Sequence, residues 1–123
     1  MSEVDERVSV CIKTDKAEYA IGEQVRVSLD VLNLGPNPVK LNFNSAQRYE
    51  FIVLKDDKEV WRWSNNKMFA MVLGSLVLKP NEKRSYTEAL ETAGMVPGNY
   101  DLVGIITSRP PLKATCKFTI KPL

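Results

Sequence analysis

No histidine occurs among the 123 residues of the chain. It therefore lacks both the usual general base near neutral pH and the commonest neutral metal ligand. Cys11 and Cys116 stand near opposite ends of the sequence, so there is no C-x-x-C pair for redox or zinc chemistry. The six glycines form neither a phosphate-cradling loop nor a G-x-S-x-G elbow, and the acids form no D-x-D-x-D calcium loop. Asp56-Asp57 sits at a hairpin tip, where a solvated turn is a better account than a catalytic carboxylate pair. No apolar run approaches membrane-spanning length. The net charge is only +2, with basic and acidic residues interleaved along the sequence. Neither nucleic acid nor an anionic membrane is expected as a partner, because counterion release needs a dense basic patch. These absences point away from an enzyme, a metal site or a cofactor and toward a binding protein.

What is present is a β pattern from end to end. Val8 to Thr14 alternates. Gln24 to Leu34 places Val25, Val27, Leu29 and Val31 on one face. Asn33-Leu34-Gly35-Pro36-Asn37-Pro38 is a turn, because its prolines remove ladder donors and its glycine permits positive φ. Val39 to Phe43, Tyr49 to Leu54, Glu59 to Ser64, Ser75 to Leu78, Arg84 to Leu90, Asn99 to Thr107 and Leu112 to Ile120 follow at sandwich-like spacing. The expectation is an all-β fold: an immunoglobulin-like antiparallel β-sandwich of about eight or nine strands, with residues 1–123 forming one domain. Parity argues against a disulfide between the first and last strands. Cys11 points outward beside Val10 and Ile12, whereas Cys116 shares the apolar face of Phe118 and Ile120. The opening Met-Ser-Glu-Val-Asp-Glu-Arg has acids where a secretion signal has a basic head, so a cytoplasmic location is expected.

Six of the ten aromatic residues lie between Phe43 and Phe69, including both tryptophans. Two alternating runs flank Lys55-Asp56-Asp57-Lys58, a hairpin whose second arm carries Trp61 and Trp63 on one face. These tryptophans are expected to anchor the core and support whatever follows them. The pieces S-A-Q-R-Y-E-F, E-V-W-R-W-S and the M-F after Asn65-Asn66 resemble the BsuPI family of intracellular proteinase inhibitors. Weaker likeness extends to Glu23–Leu29, Leu78–Glu82 and Pro97–Tyr100. In place of the glycines favoured in such turns, the chain has none in Lys55–Lys58 and has Asn81 after Pro80.

The resemblance implies a cytoplasmic inhibitor of a subtilisin-like serine protease. It assigns no reactive-site residue. An inhibitor that mimics substrate offers an extended segment to the cleft, where side chains fill alternate pockets. Asn65, Asn66 and Lys67 followed by the apolar run Met68, Phe69, Ala70, Met71, Val72, Leu73 suit that role, and an outward Phe69 predicts that Phe69→Asp weakens inhibition without loss of stability. The same run fits a buried strand preceded by a turn. Arg109, Pro110 and Pro111 form a stiff second loop that would block a cleft, or else a rigid hairpin connection. A non-inhibitory immunoglobulin-like module, assembling with another protein or as a homodimer through an edge strand, is the alternative.

Overall fold

The computed structural model describes residues 7–122. The described residues form ten strands and no helix: β1 (Val8–Thr14), β2 (Glu18–Ala20), β3 (Val25–Asn33), β4 (Val39–Phe43), β5 (Tyr49–Lys55), β6 (Lys58–Arg62), β7 (Gly74–Leu78), β8 (Lys83–Leu90), β9 (Gly98–Ile106) and β10 (Leu112–Lys121). Nine coincide with sequence-predicted runs. The tenth, β2, is three residues long and pairs in parallel with Thr119–Lys121 at the end of β10. So short a strand has too few alternations to show as a period, and tertiary pairing alone creates it.

Two layers face each other. One sheet has the order β1-β3-β8 and the other β2-β10-β9-β5-β6, while β4 and β7 form a separate ribbon. The alternating apolar sets meet between the layers: Val25, Val27, Leu29 and Val31 of β3 against Phe51 and Val53 of β5, Leu102 and Ile106 of β9, and Phe118 and Ile120 of β10, all buried. Each such side chain contributes about 1.5–3 kcal/mol by leaving water. The layers leave no room for a side chain at Gly104, where an added Cβ would lie 2.8 Å from Ile12 Cδ1 and Leu29 Cδ1. Any side chain there would push the sheets apart.

The ribbon is tied to the first sheet by the buried Asn33. Its Nδ2 donates to the carbonyls of Asn37 (2.8 Å) and Leu78 (2.9 Å), and its Oδ1 accepts from the Gly35 amide. At its other end the ribbon meets the second sheet through a bridge between Phe43 and Ser108. The ribbon therefore spans from one layer to the other at one end of the sandwich. That end carries both candidate loops.

The hairpin turn needs no glycine. Asp56 and Asp57 both take left-handed backbone, φ 52° and 65°, the mirror-image turn that two-residue hairpins favour and that aspartate tolerates. Asn81 likewise has φ 65° behind Pro80, closing a turn from Lys79 to Glu82 with a 2.9 Å hydrogen bond. Both thiols are free, Cys11 exposed and Cys116 half-buried.

Candidate functional site: an anchored apolar loop

β6 ends at Arg62 because Ser64-Asn65-Asn66 supplies two successive turns. The Asn65 amide donates to the Arg62 carbonyl (3.2 Å), the Lys67 amide donates to the Ser64 carbonyl (3.0 Å), and Asn66 takes φ 59°. Glu50, only 4% exposed, sits behind these turns. One carboxylate oxygen accepts from the amides of Phe51 and Ser64, both at 3.0 Å, and the other faces Gln47 Nε2 at 3.4 Å and the Arg62 guanidinium at 3.5 Å. A buried carboxylate with these donors fixes where the chain leaves the sheet.

Rings hold the next step. Trp63 stacks on Tyr49 with centroids 4.6 Å apart, Tyr49 lies against Tyr86 at 4.7 Å, and Phe69 folds back onto Trp63 at 5.8 Å. The Tyr49 hydroxyl donates to Glu88 at 2.5 Å, and burial followed by that carboxylate pushes its ionisation well above the usual phenol range. Lys67 Nζ sits 4.8 Å over the Trp63 ring. Trp61 faces Val53 across the hairpin, which puts the tryptophans on the Phe51 face, and both pack against the core as anchors.

The loop is pinned again at its far side. The Ala46 amide donates to the Ala70 carbonyl at 2.9 Å, and β7 starts at Gly74 opposite Phe43. A Cβ on Gly74 would lie 2.6 Å from Arg48 Nη2; the Arg48 guanidinium covers the Phe43 ring at 4.4 Å and donates to the Ser45 carbonyl. Between these anchors Lys67–Leu73 forms no strand. Met68 is 98% exposed, Leu73 85% and Met71 82%, with Val72 exposed as well. The buried-strand alternative is excluded. The outward Phe69 is also corrected: its ring is half-buried on Trp63, so it holds the loop rather than projecting from it.

The second loop lies alongside. Arg109 donates its amide to the Asn42 carbonyl (2.9 Å) and its guanidinium to Asn44 Oδ1 (2.8 Å), the Ser108 hydroxyl donates to the Pro110 carbonyl (3.0 Å), and the Arg109-Pro110 bond is cis. The Thr107 amide and hydroxyl reach the carbonyls of Arg48 and Gln47. Residues 42–48 thus contact both loops, touching residue 70 on one side and residues 107–109 on the other. Sequence reasoning did not find this middle element. Its contacts run through the backbone carbonyls of Asn42, Gln47 and Arg48 and the Ala46 amide, which carry no side-chain signal in the sequence.

The family model described as BsuPI, intracellular proteinase inhibitor, matches residues 12–111. The chain belongs to the BsuPI family. The family is one of inhibitors, not enzymes, and implies a protease partner. The pieces S-A-Q-R-Y-E-F and W-R-W-S contain the side chains and amides that anchor the loop: Arg48, Tyr49, Glu50, Trp63 and Ser64. No curated protein matches the chain significantly. Among solved structures it is similar to the sporulation control protein Spo0M of Bacillus subtilis, at 15% identity and TM-score 0.62 over 95% of this chain and 50% of that one. It is also similar to the CARDB domain of PF1109 from Pyrococcus furiosus, at 15% identity and TM-score 0.56 over 94% of each chain. A β-glucosidase of Listeria innocua matches at 13% identity and TM-score 0.52, over 93% of this chain and 16% of that one. The chain spans about half the length of Spo0M. These likenesses support the immunoglobulin-like sandwich and nothing further.

Among the described residues no cluster of acids and cysteines is arranged to hold a metal ion, and no helix is long and apolar enough to cross a membrane. A depression on the β1-β3-β8 sheet is lined by Lys13, Asp15, Arg26, Thr87 and Glu88, the last of these also accepting from the Tyr49 hydroxyl.

Proposed function

We propose that this BsuPI chain acts in the cytoplasm, as one domain, by seating residues 67–73 in the cleft of a subtilisin-like serine protease. Arg109, Pro110 and Pro111 make a second contact beside it. The observation that carries this is a loop whose ends are pinned while Met68, Met71 and Leu73 project into solvent. An ordered loop loses little conformational freedom on docking, and exposed large apolar side chains suit the alternate pockets of such a cleft. Phe69, Trp63 and Glu50 position the loop, with Asn65 and Asn66 turning the chain into it.

Titrating the pure protein against an intracellular subtilisin-like protease tests this directly. Stoichiometric loss of proteolysis at micromolar concentration is expected; unchanged activity rejects that target. A homodimer through an edge strand is the second reading, since β1, β2, β6 and β8 each border a sheet on one side. Charged Lys83, Arg84 and Glu88 on β8 work against it. A dimer by size exclusion that fails to inhibit would favour assembly instead.

A further inference from the structure

The interleaved charges of the sequence are sorted by the fold. Residues 39–48, 63–81 and 106–113 carry Lys40, Arg48, Lys67, Lys79, Arg109 and Lys113 and not one aspartate or glutamate. These segments meet at the loop-bearing end through the ribbon, the Ala46–Ala70 hydrogen bond and the Phe43–Ser108 bridge. All of these cations except Arg48 are exposed. Glu50 and Glu82 flank these segments in sequence. Glu50 is buried in its own hydrogen bonds, and Glu82 accepts from the Lys79 amide at 2.8 Å and faces Arg84 at 3.7 Å.

The opposite end mixes both signs, with a small acidic excess. Residues 14–24, 55–59 and 91–101 hold Asp15, Glu18, Glu23, Asp56, Asp57, Glu59, Glu91 and Asp101 against Lys16, Lys55 and Lys58, and neighbouring strands add Arg26, Lys117 and Lys121 to the same end. Pairing of β2 with the end of β10, pairing of Thr119 with Asn99, the approach of Lys55 to Gly98 and the hydrogen bond from Gln24 to Glu91 place these together. The ion pairs Lys117–Asp101, Lys121–Glu18 and Lys16–Glu23 also fall there. The net charge of +2 conceals a molecule with a basic pole and an opposite end of mixed charge. Glu3, Asp5 and Glu6 lie outside the described residues.

Gathering like charges at one pole costs self-repulsion and gives the fold nothing in return. What it gives is an orienting field, and its basic pole coincides with the projecting Met68, Met71 and Leu73. We infer that the partner surface is an apolar cleft rimmed by carboxylates, and that the cations at this end steer and orient its approach. This rests on the inhibitor reading above and adds the chemistry of the partner to it. A polyanion such as nucleic acid fits less well, because the rings near the loop are turned inward onto Tyr49 and leave no stacking platform.

The test is the association rate with an intracellular subtilisin-like protease at about 25 mM and about 500 mM NaCl, across which the Debye length shrinks from ~20 Å to ~4 Å. Wild-type association should slow ~10-fold or more over that range while dissociation changes little. Lys40→Glu combined with Lys113→Glu should associate ~10-fold more slowly at low salt and converge on wild type at high salt. Lys58→Glu, at the opposite end, should not slow it, and thermal melts confirm that all variants fold. Inhibition that persists with rates indifferent to salt and to the double substitution overturns the inference and leaves the inhibitor reading standing. No inhibition at either salt overturns both. Micromolar binding of a mixed-sequence DNA duplex or of phosphatidylserine vesicles that blocks inhibition and is lost in the double variant also overturns it, assigning the basic pole to a polyanion.

Discussion

Met68 and Phe69 are adjacent in sequence and opposite in surroundings, one projecting into water and the other folded onto Trp63. Their substitutions should separate cleanly. Met71→Asp and Leu73→Asp should weaken inhibition at least ~10-fold, since a charge is placed where an apolar pocket is expected, with the melting temperature unmoved because both side chains are already in solvent. Phe69→Ala should lower both, removing a ring contact and partly buried surface worth about 1–2 kcal/mol in urea unfolding. Glu50→Ala should destabilise by about 2–3 kcal/mol, because the Ser64 amide and Arg62 lose a buried acceptor. It should also speed hydrogen exchange at Ser64. Periodicity exposed the apolar run as a feature but carried no direction for it, since a run without alternation does not say which face water meets. Glu50 was legible only as an oddity; its donors come from residues up to fourteen positions away.

Among the elements, the β5–β6 hairpin was read with nearly correct limits from two alternating runs around a charged turn. The register was not, and it is the bulge between Val53 and Leu54 that sets Trp61 against Val53. Because Asp57 holds φ 65°, a region that aspartate tolerates but glycine occupies at less cost, Asp57→Gly should raise stability by about 1 kcal/mol, measured by thermal or urea denaturation. The aromatic contact of this hairpin with β8 should respond to alkali. Tyr49 is a phenol whose ionisation in the folded state is raised, by burial first and then by Glu88. The folded state therefore holds the proton more tightly than the unfolded one. Its contribution is complete below the ordinary phenol pKa of about 10 and declines as pH rises beyond it. Stability should fall above that pH, and Tyr49→Phe should flatten the decline; equal slopes for both proteins would reject this account.

At the scale of the molecule, first and last strands come together with one thiol each. Burial, and then the neighbouring Cys11, push the Cys116 thiol up, away from its reactive form. Iodoacetamide should therefore label Cys11 quickly and Cys116 slowly in the native protein, and both equally once unfolded. Failure of either to react after unfolding without reductant would reveal a disulfide and contradict the parity argument. Architecture was legible because nine strands alternate plainly and their turns carry glycine, proline and asparagine. The meeting of the two candidate loops was not, because they are separated by some forty residues of sequence and joined through the 42–48 connection.

Local patterns in the chain were sufficient for the all-β class, most strand limits, the aromatic hairpin and the family signature, since period-two alternation and turn chemistry act over a few residues. The outward set of Met68, Met71 and Leu73, the inward turn of Phe69, the burial of Glu50 and the gathering of cations at the loop-bearing end arose from packing. Each depends on which distant segments become neighbours, and long-range pairing between sheets, rather than nearest-neighbour pattern, sets that.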